Sequence, residues 1–174
     1  NLGNILDFDN LTEENIYVLD SPILTNSQFK KFKKFFSKKV KLIDCTFDIT
    51  KSLKERIESI REEAETAVRE GSTCLILSDK NISNQKASIP SILTVGAVHS
   101  HLVKHGLRGY CSLNVECSDA MDTHSFAILI GVGATTVNPY LAIDSIYQRF
   151  EKKLFNKSDF ETCVSKFKKS IDAG

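Results

Sequence analysis

Residues 51–79 read KSLKERIESIREEAETAVREGSTCLILSD, and this stretch decides the fold class. Leu53, Ile57, Ile60, Ala64 and Ala67 recur at helical spacing and form one apolar stripe, so a helix is expected over 51–70. Ser52 and Glu55 stand at capping-box separation. Arg61–Glu65 and Glu65–Arg69 are opposite charges one turn apart, and Gly71 is placed to end the helix in a left-handed conformation. Thr73 to Leu77 is then nearly all apolar. A short run of that kind is expected of a strand covered on both faces, as in a parallel sheet under helices.

The same alternation continues outward from this unit. Upstream, a helix is expected over 26–38, with Thr25 or Asn26 as its N-cap and Phe29, Phe32 and Phe36 on one face. Val40 to Cys45 reads as a short strand. Downstream, a polar loop covers 78–88, and Pro90 opens a helix that runs to His105 and stops at Gly106. Tyr110 to Glu116 alternates as a third strand, a helix follows over 120–130, and Thr135 to Asn138 is strand-like. Pro139 begins a helix to Phe155, and a last basic helix covers 158–171. Residues 1–24 lack a period and read as an N-terminal linker. Residues 25–155 then form the α/β domain, and 156–174 a truncated basic C-terminal helix. Repeated βα units of this kind argue for a mostly parallel sheet with right-handed crossovers. Four units make half of a (β/α)8 barrel, and a small open sheet would satisfy the same pattern.

The chain has 174 residues, 41% of them hydrophobic and 26% charged, with a formal net charge of +1. That is the composition of one soluble globular domain, with no overall bias toward nucleic acid or anionic lipid. No apolar run has the length of a membrane span. The five cysteines are scattered, as expected of reduced intracellular thiols rather than a disulfide framework. The chain opens at Asn1 without methionine and stops at Gly174 after a lysine-rich segment, the pattern expected of a piece of a longer protein.

Chemistry is sparsely marked. A metal-dependent enzyme would draw on His99, His101, Glu116, Asp119 or His124. His101 and His105 share a helix face, but no glutamate follows His101 to complete a His-Glu-x-x-His zinc helix. No metal, cofactor or catalytic residue is therefore assigned. Cys111 and Cys117 fall on one face of one strand with no third cysteine near them, so they read as buried structural thiols. Gly131-Val132-Gly133 closes a helix and leads into a strand, the reverse of a dinucleotide-binding turn. The lysines from Lys30 to Lys41 could contact nucleic acid or a membrane surface; a helix that buries phenylalanines while its lysines reach solvent is the plainer reading. In a barrel-like sheet, chemistry sits at the carboxyl ends of the strands. Those positions are Asp44, Ser78, Asp79, Glu116 and Asn138, and the alternative for each is that it caps the helix that follows.

An ordered set of segments carries a family resemblance. It comprises Ser21–Asn26, Glu62–Val68 with Gly71, Leu75–Asp79, Ile89–Leu93, Val98–Leu102, Gly106–Arg108, His124 with Phe126-Ala127, Gly131–Ala134 and Val137–Ala142. Together these resemble the central domain of the glutamate synthase large subunit, in unbroken order over residues 15–150. Met121 and Lys80 stand where that family has arginine, and Ser100 and Ser125 where it has histidine. These departures leave the fold reading intact and take chemistry away from the histidines. The resemblance implies a parent enzyme that makes two glutamates from glutamine and 2-oxoglutarate. It implies a glutaminase domain on one side and an FMN barrel on the other, with electrons arriving from NAD(P)H or ferredoxin through a 3Fe-4S cluster. It further implies a rudimentary (β/α)8 barrel that joins those two partner domains, binds no flavin or cluster itself, and resides in the cytoplasm or an organellar stroma. Neither nucleic acid nor membrane is an expected partner.

Overall fold

The computed structural model describes residues 17–155 and 158–174, so residues 1–16 of the expected N-terminal linker lie outside the described residues. The decisive stretch folds as read. Helix α2 (Leu53–Arg69) buries Ile60, Ala64, Ala67 and Val68, and Gly71 adopts φ +96° while the Ser72 amide returns to the Ala67 carbonyl. Strand β3 (Cys74–Ser78) is buried at every position. Ser52 accepts the Glu55 amide at 3.4 Å. The full reciprocal capping box occurs instead at α1 (Asn26–Phe36), between Thr25 and Gln28. Of the two charge pairs expected on α2, Glu65–Arg69 forms at 2.8 Å, whereas Arg61 turns to Glu58.

Strands β1 (Val40–Asp44), β3, β5 (Ser112–Glu116) and β6 (Thr136–Asn138) form one sheet in the order β1-β3-β5-β6, parallel throughout. Among the described residues β1 ends the sheet, and the outer side of β6 carries only a parallel bridge to Ile23. The barrel is therefore incomplete and open. Ile23 and Leu24, counted with the linker in the sequence reading, are buried, and this segment is tied to Val137 by main-chain bonds, from the Leu24 amide and to the Pro22 carbonyl. A small antiparallel pair, β2 (Thr46–Asp48) with β4 (Lys86–Ser88), lies partly in the stretch read as a polar loop.

Side chains alternate across a strand, so the sheet has two distinct faces. The outer face is aliphatic: Ile43, Leu75, Leu77, Leu113, Val115 and Val137 all join one buried cluster. It lies under α2, α3 (Ser91–Lys104) and α4 (Thr123–Gly131), and α6 (Phe160–Asp172) packs on α4 and adds Ile171. Each such side chain contributes roughly 1.5–3 kcal/mol when buried. The inner face carries Cys74 and Ile76, which form a second cluster with Leu24, Phe29 and Phe32. Helix α1 thus lies on the face that would be the interior of a closed barrel. The helix after β6, α5 (Tyr140–Glu151), packs on α6.

Candidate functional site

Parallel register places four of the five expected positions on a single rung. Asp44 is paired with Ser78, Ser78 with Glu116, and Glu116 with Asn138. All four are the last residues of their strands and point to the inner face. This is the carboxyl edge where barrel enzymes place their chemistry.

Glu116 is the centre of the rung and is 3% exposed. Its Oε2 accepts the Ser78 hydroxyl at 2.7 Å, while Oε1 lies 3.1 Å from Lys80 Nζ and 3.5 Å from Lys33 Nζ. Burial by itself would raise this carboxyl, but the Ser78 hydroxyl and the two lysines outweigh it and hold it below the usual glutamate range. Lys33 comes from α1, and Lys80 also lies 4.9 Å over the Tyr140 ring. Glu116 therefore ties the inner helix to the sheet. A carboxylate kept ionised by two cations and a hydroxyl is a weak proton acceptor, so it is poorly suited as a general base.

The flanking positions are equally engaged. Asn138 donates to the Leu24 carbonyl and to Asn26 Oδ1, at 2.9 and 3.0 Å. Asp44 accepts from the Thr46 amide and hydroxyl and from Asn81, and Lys86 Nζ lies 3.6 Å away as an ion pair. Burial opposes its ionisation, yet the Asn81 and Thr46 bonds leave it lowered. Asp79, one residue past the rung, takes the Ser118 amide and hydroxyl on Oδ2 at 3.0 and 2.6 Å. Its buried Oδ1 has no hydrogen-bond partner among the described residues, and burial with the Asp79 charge pushes the Tyr140 phenol up. None of the five caps the following helix. Ser52 and Asp122 accept helix-start amides on α2 and α4, and Asp119 reaches back to hold the Ser91 amide and hydroxyl at the start of α3.

His99, His101 and His124 lie apart from one another, while His101 and His105 are neighbours at the end of α3 with ring centroids 4.3 Å apart. His99 accepts Arg108 Nε at 3.2 Å and lies against Gly133, where an added Cβ would fall 2.2 Å from its Nδ1. Gly133 also has φ +118°, so a side chain is excluded there twice over. His124 is exposed on α4, and His101 bonds Glu65 on the seam between α2 and α3. Glu116, His99 and His101 thus engage separate partners, and His124 faces solvent. Cys111 and Cys117 are both buried in the outer-face core as free thiols, and burial pushes both up. The sequence reading missed the roles of Lys33, Lys80, Ser118 and Glu65, and named Asp119 as a metal-ligand candidate where it holds Ser91. Lys33 alone carried a signal: it lies four residues after Phe29 and one after Phe32, hence beside the buried stripe.

An open, parallel (β/α) sheet with a helix across its inner face places the molecule among partial-barrel α/β domains. The family described as "Glutamate synthase central domain" matches residues 1–174, and the chain belongs to that family. It is 44% identical over its whole length to the glutamate synthase [NADPH] large chain of Azospirillum brasilense, covering 12% of that protein. It is 37% identical over 88% of its length to the chloroplastic ferredoxin-dependent glutamate synthase of Spinacia oleracea, covering 10% of it. The glutamate synthase [NADH] of Schizosaccharomyces pombe is 33% identical over 99% of the chain, which covers 8% of that protein. The chain spans about a tenth of the length of these curated relatives. No helix among the described residues is long and apolar enough to cross a membrane.

Proposed function

We propose that this chain is the non-catalytic connecting domain of a glutamate synthase large chain. It acts as a scaffold between a glutaminase domain and an FMN synthase domain that together convert glutamine and 2-oxoglutarate into two glutamates. The parent draws on FMN and a 3Fe-4S cluster held elsewhere, and works in the cytoplasm or, in a plastid-bearing source, in the stroma.

The observation that carries this reading is the filled inner face. Phe29 and Phe32 of α1 pack on Cys74 and Ile76, and at the carboxyl edge, where a barrel enzyme would seat substrate or cofactor, Lys33 and Asn26 of the same helix engage Glu116 and Asn138. The residues also fit a flavin poorly. A flavin phosphate needs free amides at a turn or helix start, but Gly131–Gly133 closes α4, with the Gly133 amide bonded to the Ile130 carbonyl at 3.0 Å. Cluster ligation needs convergent thiolates, whereas Cys45, Cys74, Cys111 and Cys117 are buried, and burial pushes Cys45 up to about 12 and Cys74 up to about 11.

The test is Glu116→Gln in the full-length enzyme, assayed for glutamine hydrolysis, for ammonia-dependent glutamate formation and for the coupled reaction. A scaffold role predicts that each half-reaction stays within a few-fold of wild type. A catalytic role predicts the loss of about 100-fold or more that removing a general acid or base costs. That loss, in a protein with unchanged flavin content and fold, would overturn the reading.

A further inference from the structure

We infer that Glu65 of α2 and His101 and His105 at the end of α3 form a binding site for one zinc-class divalent ion. The site lies on the outer surface of the helix layer, away from the carboxyl-edge rung. One donor atom from each residue lies within 4.8 Å of the other two. His101 Nε2 is 2.6 Å from Glu65 Oε2, and His105 Nδ1 is 3.8 Å from the same oxygen. Ligand bonds of about 2.0–2.2 Å at tetrahedral angles separate donors by roughly 3.3–3.6 Å. The His101–Glu65 contact therefore opens slightly and the His105 contact closes slightly, and His105 Nδ1, which lies 2.8 Å from the His101 carbonyl, exchanges that hydrogen bond and its proton for the ion.

The backbone supports the arrangement. His101 and His105 are one turn apart on one helix face, the spacing by which helical histidines share an ion. Gly106, at φ +68°, and the Leu107 amide on the Leu102 carbonyl end the helix directly after His105 and fix its place. Behind the site, Ile60 and Ala64 of α2 and Val98 and Leu102 of α3 are fully buried in one core, so the two helices are held firmly against each other. Ligands on packed helices are more exactly placed than ligands on loops. Arg69 Nε holds Glu65 Oε1 at 2.8 Å, which turns Oε2 toward the imidazoles. Such a bond to the non-ligating oxygen is the usual outer-shell support for a metal carboxylate.

Donor chemistry sets the class of ion. Two imidazole nitrogens and one carboxylate oxygen suit zinc and its neighbours, whereas magnesium and calcium require sets built from oxygen. His105 is 34% exposed, so an ion reaches the site from solvent, and water completes the shell. Where a hydrolytic zinc helix has glutamate after its first histidine, this chain has Leu102, buried in the core. The site clamps α2 to α3 and has no general base in that position.

The experiment compares the full-length chain with His105→Ala after both are stripped with chelator and dialysed against limiting Zn²⁺. Co²⁺ serves as a visible probe of coordination. Wild type should retain one more zinc equivalent than the variant and show four-coordinate Co²⁺ bands that the variant lacks. Loss of a direct ligand should weaken binding by more than the about 10–100-fold that loss of an outer-shell partner costs. Glu65→Gln, which keeps the size of the side chain, should lose the same equivalent, whereas His124→Ala, a distant exposed histidine, should keep it. Equal zinc content and superimposable Co²⁺ spectra in wild type, His105→Ala and Glu65→Gln would overturn the assignment. So would equal loss in His124→Ala.

Discussion

The two faces of the central sheet are built from the same strands and do opposite things. The outer face presents aliphatic side chains to α2, α3 and α4, with Lys41 on the end strand paired to Glu63 of α2 at 3.2 Å. The inner face presents Cys74 and Ile76 to one helix, then turns polar: Asn114, Thr136, Ser78, Glu116 and Asn138 are all buried there. Thr136 donates to Asn114 Oδ1, and Asn114 donates to the Leu75 carbonyl, so the polar rows are satisfied within the sheet. In an α/β barrel the interior is packed by its own side chains and the chemistry sits at the carboxyl ends of the strands. Here the inner face has become a second core, with the polar edge turned into a fastening for α1.

The largest test of this contrast removes one large side chain from each face. Leu75→Ala should cost about 2–5 kcal/mol and Phe32→Ala about 3–5 kcal/mol in chemical denaturation. The two losses should differ in kind. Leu75 is fully buried on a central strand within the cluster that joins the outer helices to the sheet, so its loss should raise amide exchange throughout the sheet. Phe32 belongs to one added helix, so its loss should release α1 while β3 and β5 stay protected. Global loss of protection in Phe32→Ala would show that the inner core is as essential to the sheet as the outer one.

A smaller test concerns the fastening. Glu116 is buried, while Lys33 and Lys80 are 37% and 49% exposed. Replacing both lysines by methionine leaves a buried charge with only Ser78 for company. After allowance for solvent screening of the exposed lysines, that should cost about 1–3 kcal/mol. Glu116→Gln frees lysines that can turn to solvent and should cost less, about 1 kcal/mol. The reverse order would mean that the lysines are idle and that Ser78 and the backbone alone hold the rung.

How far each face could be read from the chain follows from locality. The outer face was legible because its signals are periodic within one element: the 3.6-residue stripe of α2, the apolar run of β3, and Gly71 where the helix must stop. The positions Asp44, Ser78, Asp79, Glu116 and Asn138 were legible as strand ends. Their arrangement as one rung was not, because register depends on pairing between residues 22 to 38 positions apart. The location of α1 was hidden for a related reason: an amphipathic helix shows which side it buries, not which face of a sheet it covers. Glu65 read as half of a surface pair with Arg69, and only the docking of α2 on α3 brings its other oxygen to His101. The β2–β4 pair escaped because three-residue strands carry too little period to separate from a loop.

The smallest expected effect separates the two faces by pH. The outer-face core has no titrating carboxylate, so acid acts on the sheet through the inner rung. The folded-state pKa of Glu116 is depressed, and its contribution is therefore fully present above the unfolded value, about 4.3. It is lost as pH falls through the lower, folded value, because protonation removes the attraction to Lys33 and Lys80. Asp44, Asp48, Asp122 and Asp159 are lowered too, so both wild type and Glu116→Gln should weaken in acid. The difference between them isolates Glu116. Denaturation midpoints measured from about pH 6 to about pH 3 should fall more steeply for wild type, and the two curves should converge at the acid end. Parallel curves across the whole range would mean that Glu116 is as easily protonated in the folded chain as in the unfolded one, and the polar edge would then be no fastening at all.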